Sequence, residues 1–274
     1  MALGGGAIVT PRDAFDGYEI RLGVDSQGFV WSAAADWLAK ILGAGLSLHR
    51  WAAESADVIS FTGRGSVHAV AAPTPGPDRS GRWVVRHYHR GGVIARYLDD
   101  RYLAAGDSRP VRELKASVEA RRRGVPTPAV VAGAVYASGL FYRADIATEF
   151  IPDAPSLADL LFRSAPSDES NANRVDTETA LYLAGRVVRR LEGTRVLHPD
   201  VSAGNILVRS RGGEAEAYVI DLDRCNVLPE AARYPHHFMR DRLERSLKKL
   251  GEVHSVRLSD AAWQALHDGF EERS

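Results

Sequence analysis

The segment between residues 198 and 221 restricts the fold of this chain more than any other part of the sequence. It begins His-Pro-Asp-Val-Ser-Ala-Gly-Asn and continues into the apolar run Ile206–Val208. Asp200 and Asn205 therefore lie five residues apart, directly ahead of a predicted strand. A second apolar run ends at Asp221, so a hairpin of the two runs would bring Asp221 beside Asn205. The pattern predicts a cluster of oxygen-bearing side chains at one end of a hairpin.

Oxygen ligands in this arrangement suit Mg²⁺, which keeps waters and substrate phosphates in its shell. We predict that Asn205, Asp221 and Asp223 are the metal ligands and that Asp200 is the catalytic residue, accepting a hydroxyl proton. This division of roles is that of phosphoryl transfer in a protein-kinase-like fold. Each residue alone would also fit a turn or a cap, so the prediction rests on the joint pattern. His198 is predicted to organise the loop.

A glycine-bearing turn precedes the first predicted hairpin of the chain. Gly63 and Gly65 could fold over nucleotide phosphates, and we predict that both contact the cofactor ATP. The motif is weak because the third glycine of G-x-G-x-x-G is absent, and position 68 is a histidine.

The strand that follows this turn predicts an unusual contact to ATP. Arg86 stands where a kinase carries its strand lysine, and Glu113 on the next helix is the natural carboxylate partner. Arginine presents a planar fork of donors that can bind phosphate and carboxylate together. Lys115 is the competing candidate, although it belongs to the helix. An exposed helical charge is the alternative for Glu113.

The order of predicted elements indicates two lobes. Residues 60–150 are rich in strands, a connection follows near residue 151, and residues 151–274 are mostly helical. We therefore predict an α+β, bilobal, protein-kinase-like fold with the nucleotide in the cleft. Residues 1–59 are an N-terminal extension of unassigned role, with one helix that Ser32 could cap.

Several motifs resemble the lipopolysaccharide kinase family over about residues 60–230. They are Arg86–Gly92, Asp100–Leu103, Gly124–Pro128, Tyr142–Asp145, His198–Asp200 with Asn205, and Asp221–Arg224. The resemblance implies a protein-kinase-like fold and transfer of the ATP γ-phosphate to an inner-core sugar on lipid A. The likeness is greatest to members that act on 3-deoxy-D-manno-octulosonic acid (Kdo). By position it implies that Asp200 is catalytic and that Asn205 and Asp221 hold Mg²⁺.

A dense basic segment fits an acidic, lipid-linked Kdo acceptor. It comprises Arg86, His87, His89, Arg90 and Arg96, to which Arg101 and Arg224 could add. Kdo carries a carboxylate and lipid A carries phosphates, so cationic walls would neutralise the acceptor. We predict that Arg90 and Arg224 bind it. The alternative is that these arginines form surface pairs, each contributing under about 1 kcal/mol.

Composition limits the partners and the location. The 35 basic and 35 acidic residues cancel, so no nucleic-acid partner is expected. One cysteine, no apolar run of membrane-spanning length and no signal-peptide pattern favour a cytoplasmic protein. A cationic stretch on a predicted C-terminal helix would suit peripheral contact with the inner membrane. It contains Arg240, Arg242, Arg245, Lys248 and Lys249.

Two other functions remain open from the residues. A phosphotransferase of the aminoglycoside type should favour an acidic acceptor cleft, and the basic segment argues against it. A nucleotide-binding pseudokinase would explain the missing strand lysine, but the intact Asp200, Asn205 and Asp221 argue against it. A serine hydrolase lacks its G-x-S-x-G motif, and one cysteine with scattered histidines does not support a zinc site.

Overall fold

A computed structural model describes residues 15–62, 66–89, 100–104, 106–163, 175–229, 232, 235 and 237–272. The chain packs as two compact units. The first comprises Met1–Lys115 and Ala129–Phe150, and the second comprises Ala116–Pro128 and Ile151–Ser274. Both combine antiparallel strands with helices, so the mixed α and β character is confirmed.

An antiparallel sheet forms the frame of the first unit. Its strands are β1 (Tyr18–Leu22), β2 (Ser26–Trp31), β3 (Ile59–Thr62), β4 (Ser66–Ala71), β5 (Arg82–His87), β6 (Tyr102–Leu103), β7 (Val130–Ser138) and β8 (Phe141–Glu149). They are ordered β1-β2-β7-β8-β5-β4-β3, and β6 pairs with β8. The predicted hairpin of β4 and β5 is confirmed, with Val67 opposite Arg86. Strands β7 and β8 are joined by a turn in which Gly139 takes the positive φ of 64° that favours glycine.

Residues from the predicted N-terminal extension contribute to this unit. Strands β1 and β2 extend the sheet beyond β7, and α1 (Ala35–Gly43) and α2 (Leu48–Ala53) supply Leu38, Leu42 and Leu48 to its core. The expected cap at Ser32 is wrong. Residues Ser32–Ala34 instead form a 3₁₀ turn, and α1 begins after Ala34 without a side-chain cap.

Helix α3 (Arg109–Arg122) contains the boundary between the units. Pro110 lies in its first turn, where proline is tolerated because the amide hydrogen that it lacks would have no partner within the helix. Gly124 follows the end of the helix with a φ of 79°. Glu113, the residue of this helix that the sequence predicts as the partner of Arg86, belongs to the first unit.

Helices surround the core of the second unit. They are α4 (Leu157–Phe162), α5 (Thr177–Gly193), α6 (Phe238–His254) and α7 (Asp260–Glu271). Ser156 caps α4, since its hydroxyl oxygen accepts a hydrogen bond from the Asp159 amide. Helices α5 and α7 cross so closely that a β-carbon on Gly185 would lie 3.0 Å from the Gly269 backbone.

Two short antiparallel pairs complete the second unit and carry its polar loops. Strands β9 (Val196–Leu197) and β12 (Asn226–Val227) pair with each other, as do β10 (Ile206–Arg211) and β11 (Glu214–Val219). The predicted β10–β11 hairpin is confirmed, and it turns at two glycines with positive φ, Gly212 and Gly213. Within the described ranges, no helix has the length and apolar character needed to cross a membrane.

Candidate active site

The loop between β9 and β10 is organised by a buried histidine. Nδ1 of His198 accepts a hydrogen bond from the Asp200 amide (3.3 Å), and Nε2 lies 3.1 Å from the Ile220 carbonyl oxygen. This pattern assigns a neutral ring with its proton on Nε2. Burial lowers the pKa of His198, outweighing the Ile220 carbonyl and the nearby carboxylates. His198 thus ties the loop that carries Asp200 to the residue before Asp221.

Asn205 connects the same loop to the end of the hairpin. Its Nδ2 donates to the backbone carbonyl of Asp200 (3.0 Å), and the Ile220 amide donates to the carbonyl of Asn205 (3.0 Å). Asp221 follows in the left-handed region, with φ 66° and ψ 58°. This conformation costs an L-residue about 1–2 kcal/mol. The loop and hairpin therefore hold Asp200, Asn205 and Asp221 in one neighbourhood, as the sequence pattern predicts.

These residues suit a magnesium ion in kind. The amide nitrogen of Asn205 is used on Asp200, so its oxygen can serve as a ligand beside the Asp221 carboxylate. Asp223 is 3% exposed, whereas Asp221 is only partly buried, so Asp221 is the more accessible carboxylate. In the described ranges no group of three or more His, Cys, Asp or Glu could hold a metal ion. Mg²⁺ commonly binds through only one or two protein side chains, and substrate phosphates complete its shell.

Two arginines contact the carboxylate of Asp200, one on each oxygen. Arg224 Nη1 donates to Oδ2 at 2.6 Å, and Arg242 Nη2 donates to Oδ1 at 3.1 Å. The sequence predicts Arg224 as an acceptor contact, but it does not connect Arg242 with Asp200. These two residues lie 42 positions apart, and no local pattern indicates the pairing.

The predicted arginine–carboxylate pair in the first unit is present. Arg86 Nη2 donates to Glu113 Oε2 at 2.6 Å, and the carboxylate is buried at 3% exposure. Tyr88, a second partner that the sequence analysis missed, donates its hydroxyl to the same oxygen at 2.5 Å. The guanidinium of Arg86 also lies 4.6 Å from the centre of the Tyr88 ring. Arg86 is thus held on a carboxylate and an aromatic face, with 24% of its side chain exposed.

A histidine between two carboxylates lies next to this pair on β5. His87 Nδ1 is 2.6 Å from Asp145 Oδ1, and its Nε2 is 2.9 Å from Asp100 Oδ2. Only the imidazolium can donate at both nitrogens. Burial would lower the pKa of His87, but Asp145 and then Asp100 outweigh it and raise the pKa above the ordinary 6.5. Arg143 also pairs with Asp100, at 2.8 Å.

The His87 cluster predicts a pH dependence of stability. A raised folded-state pKa adds stability that is complete below the unfolded value of 6.5 and is lost as pH rises through the folded value. The free energy of unfolding of the parent should therefore fall as the pH is raised from about 6 to about 9. In His87→Gln this fall should be smaller. Urea denaturation of parent and variant across that range measures it, and NMR titration of the ring gives the pKa directly. His68, whose pKa is lowered by burial and then by the charge of His49, is the internal control. If the His87 ring titrates below the His68 ring, the assignment is wrong.

Three predicted site residues lie outside the described residues. They are Gly63, Gly65 and Arg90. Their roles stay predictions.

The predicted cationic face of the C-terminal helix is smaller than expected. Arg240 of α6 is directed inward onto Glu192 (3.0 Å) and also pairs with Glu271, while Arg242 is used on Asp200. Arg240 and Arg242 therefore do not belong to the exposed cationic face, because carboxylates hold their guanidinium groups. The exposed cations of the stretch are Arg245, Lys248 and Lys249.

Comparisons with known proteins agree on one family. Residues 49–270 match the model described as the lipopolysaccharide kinase (Kdo/WaaP) family. A 3-deoxy-D-manno-octulosonic acid kinase of Photobacterium profundum is 30% identical over 223 residues, covering 81% of this chain and 86% of that protein. A protein with the same name from Xanthomonas oryzae pv. oryzae is 33% identical over 214 residues, covering 76% of each.

One solved structure also shows a likeness. The structure described as WaaP in complex with acyl carrier protein matches with a TM-score of 0.49 and 13% identity, covering 86% of each chain.

Proposed function

Because the chain belongs to the lipopolysaccharide kinase (Kdo/WaaP) family, we propose that it is an ATP-dependent kinase that phosphorylates a hydroxyl of Kdo in the inner core of lipid A or lipopolysaccharide. The observation that carries this proposal is the family match over residues 49–270, which includes Asp200, Asn205 and Asp221. Two named Kdo kinases that share 30% and 33% identity over most of their length support the choice of acceptor.

The described contacts support roles for Asp200, Asn205, Asp221 and the pair of Arg86 with Glu113. Asp200 accepts the proton of the acceptor hydroxyl, and Arg86, oriented by Glu113, contacts the phosphates of ATP. Asn205 and Asp221 would hold Mg²⁺, which neutralises charge on the phosphates when bound. Arg224 and Arg90 serve the acidic acceptor. The arrangement of the two units as kinase lobes with the nucleotide in their cleft stays part of this proposal.

Asp221→Asn is expected to weaken the dependence of ATP binding on Mg²⁺ and to lower kcat. The reason is that an amide replaces the more accessible carboxylate among the proposed ligands. Calorimetric titration of ATP with and without Mg²⁺ measures the binding effect. Asp159→Asn, at the half-exposed carboxylate of the α4 cap, is the control for a general loss of charge. An unchanged Mg²⁺ requirement in Asp221→Asn would move the metal role to Asp223.

A direct assay tests the proposed acceptor. The protein is incubated with γ-labelled ATP, Mg²⁺ and one of three acceptors: Kdo–lipid A, an aminoglycoside or a generic protein substrate. We expect label on the Kdo–lipid A alone. Transfer to the aminoglycoside would establish the small-molecule phosphotransferase instead, and ATP binding without transfer to any acceptor would indicate a pseudokinase.

The membrane-facing part of the proposal rests on fewer charges than the sequence suggests. A lipid-linked acceptor lies at the membrane surface, so we place the protein in the cytoplasm with peripheral contact through Arg245, Lys248 and Lys249. Cosedimentation with vesicles containing anionic lipid, compared for the parent and a triple alanine variant, tests this contact.

A further inference from the structure

Both oxygens of the proposed base are occupied by arginines. The 2.6 Å bond from Arg224 to Oδ2 is a short, charge-assisted contact, and the 3.1 Å bond from Arg242 holds Oδ1. A base must present a lone pair to the acceptor hydroxyl at hydrogen-bond distance. A guanidinium against Oδ2 occupies part of the space that the hydroxyl needs. As described, the carboxylate is partly closed to a substrate.

The two arginines differ in how firmly the protein holds them. Arg242 is on α6, where the adjacent Leu243 is fully buried, and its Nε is buried without a hydrogen-bond partner among the described residues. Its guanidinium also lies 5.9 Å from the centre of the Phe238 ring. Arg224 ends a short 3₁₀ turn and has 60% of its side chain exposed, compared with 36% for Arg242. Arg242 is therefore anchored, and Arg224 is able to change partners.

We propose that Arg224 closes Asp200 in the free protein and that an anionic acceptor opens it. This inference rests on the proposed function. The acceptor's carboxylate draws the Arg224 guanidinium away from Oδ2. The guanidinium contacts only one oxygen of Asp200, whereas its planar fork can bind both oxygens of the acceptor's carboxylate. Arg242 stays on Oδ1 as a positioning residue that keeps the carboxylate aimed at the hydroxyl. The exchange confines transfer to acceptors that carry a negative charge.

The chemical step then follows from the freed oxygen. The acceptor hydroxyl oxygen forms a bond to the γ-phosphorus as the bond from that phosphorus to the β,γ-bridging oxygen breaks, with its electron pair leaving on ADP. The hydroxyl proton passes to Asp200 Oδ2. Without an anionic acceptor, Arg224 remains on Oδ2 and the transfer to water or to a neutral sugar is slow.

Neutralising the acceptor carboxylate tests this exchange. The assay compares two acceptors. The acid is the methyl glycoside of Kdo with its free carboxylate, and the ester is the methyl ester of the same glycoside, which keeps the hydroxyls and removes the charge. In the parent, kcat/KM for the acid should exceed that for the ester by about 10–100-fold, the effect of one charged hydrogen-bonded pair. Arg224→Ala should lower the value for the acid and raise the value for the ester by about threefold or more, because Asp200 is then open.

The rise for the ester separates gating from simple binding. An arginine that only bound the acceptor would leave the ester rate unchanged when removed, so an unchanged or lower ester rate in Arg224→Ala overturns the proposal. Arg242→Ala should lower kcat for both acceptors equally at unchanged KM for ATP, with no further loss in an Asp200→Asn background. Arg257→Ala, at an exposed arginine three residues after the end of the same helix, is the matched control. A further loss in the double variant would show that Arg242 does not act through Asp200.

Hydrolysis of ATP without an acceptor keeps the two proposals distinguishable. Arg224→Ala should hydrolyse ATP about threefold faster than the parent, because water can then use the open carboxylate. If the parent phosphorylates neither Kdo glycoside nor Kdo–lipid A, the proposed function has failed and this hydrolysis alone decides the gating. If Arg224→Ala then hydrolyses ATP no faster than the parent, the gating proposal is wrong.

Discussion

Replacing Asp200 with asparagine is expected to lower kcat for phosphoryl transfer by about a thousandfold while the Kd for ATP stays within about threefold of the parent. The side chain keeps its size, but it can no longer take the proton of the acceptor hydroxyl. Arg224 and Arg242 contact one carboxylate oxygen each, so the amide NH2 of asparagine would face one of the two guanidiniums as a donor, and that arginine would lose its acceptor. Single-turnover kinetics with Kdo–lipid A give the rate, and calorimetric titration gives the ATP affinity.

A neighbouring carboxylate provides the control for Asp200. Asp241 is exposed in the first turn of α6, next to Arg242, and Asp241→Asn removes one negative charge without touching the loop. We expect it to retain parental kcat. An Asp200→Asn variant that turned over within about tenfold of the parent would contradict the assignment of the base.

Replacing Arg86 with alanine should give the second-largest loss, mainly as a raised KM for ATP together with a lower kcat. The charge on the nucleotide phosphates then loses its partner at this strand position, and the buried Glu113 loses one donor while it keeps the Tyr88 hydroxyl. Arg86→Lys keeps the charge but loses the fork, so we expect a smaller loss, corresponding to about 1–3 kcal/mol of transition-state stabilisation. Steady-state kinetics with varied ATP measure both variants.

Variants of the partner separate orientation from folding. Glu113→Gln keeps the volume of the buried side chain and still accepts a hydrogen bond from the Tyr88 hydroxyl. It removes the negative charge that orients Arg86, so it should resemble Arg86→Lys in activity. Glu113→Ala should resemble it too, with an added loss of stability from the unpaired donors. Arg82→Ala, at the other end of β5 where the arginine pairs with Asp57, is the matched control and should leave the KM for ATP unchanged. Full activity in Arg86→Ala would move the phosphate contact to Lys115 or Arg64.

Local sequence determined the parts of the candidate site that lie within one turn or hairpin. Two apolar runs predict the β10–β11 hairpin, and that hairpin alone brings Asn205 near Asp221. The same holds for the Ser156 cap of α4 and the Gly139 turn of the first unit. These features depend on backbone preferences and side-chain periodicity over a few residues, which the sequence displays directly.

Long-range packing determined the partners of the charged residues. The pairing of Asp200 with Arg242 depends on where α6 packs, and His87 meets Asp145 only because β5 and β8 are neighbours in the sheet. Strand β1, with its alternating Tyr-Glu-Ile-Arg-Leu, could have been recognised from periodicity, but its place beside β2 at the sheet edge could not. A charge in a sequence does not indicate which of many opposite charges it will meet. The order of strands and the burial of apolar faces decide that, because they fix which side chains lose water together.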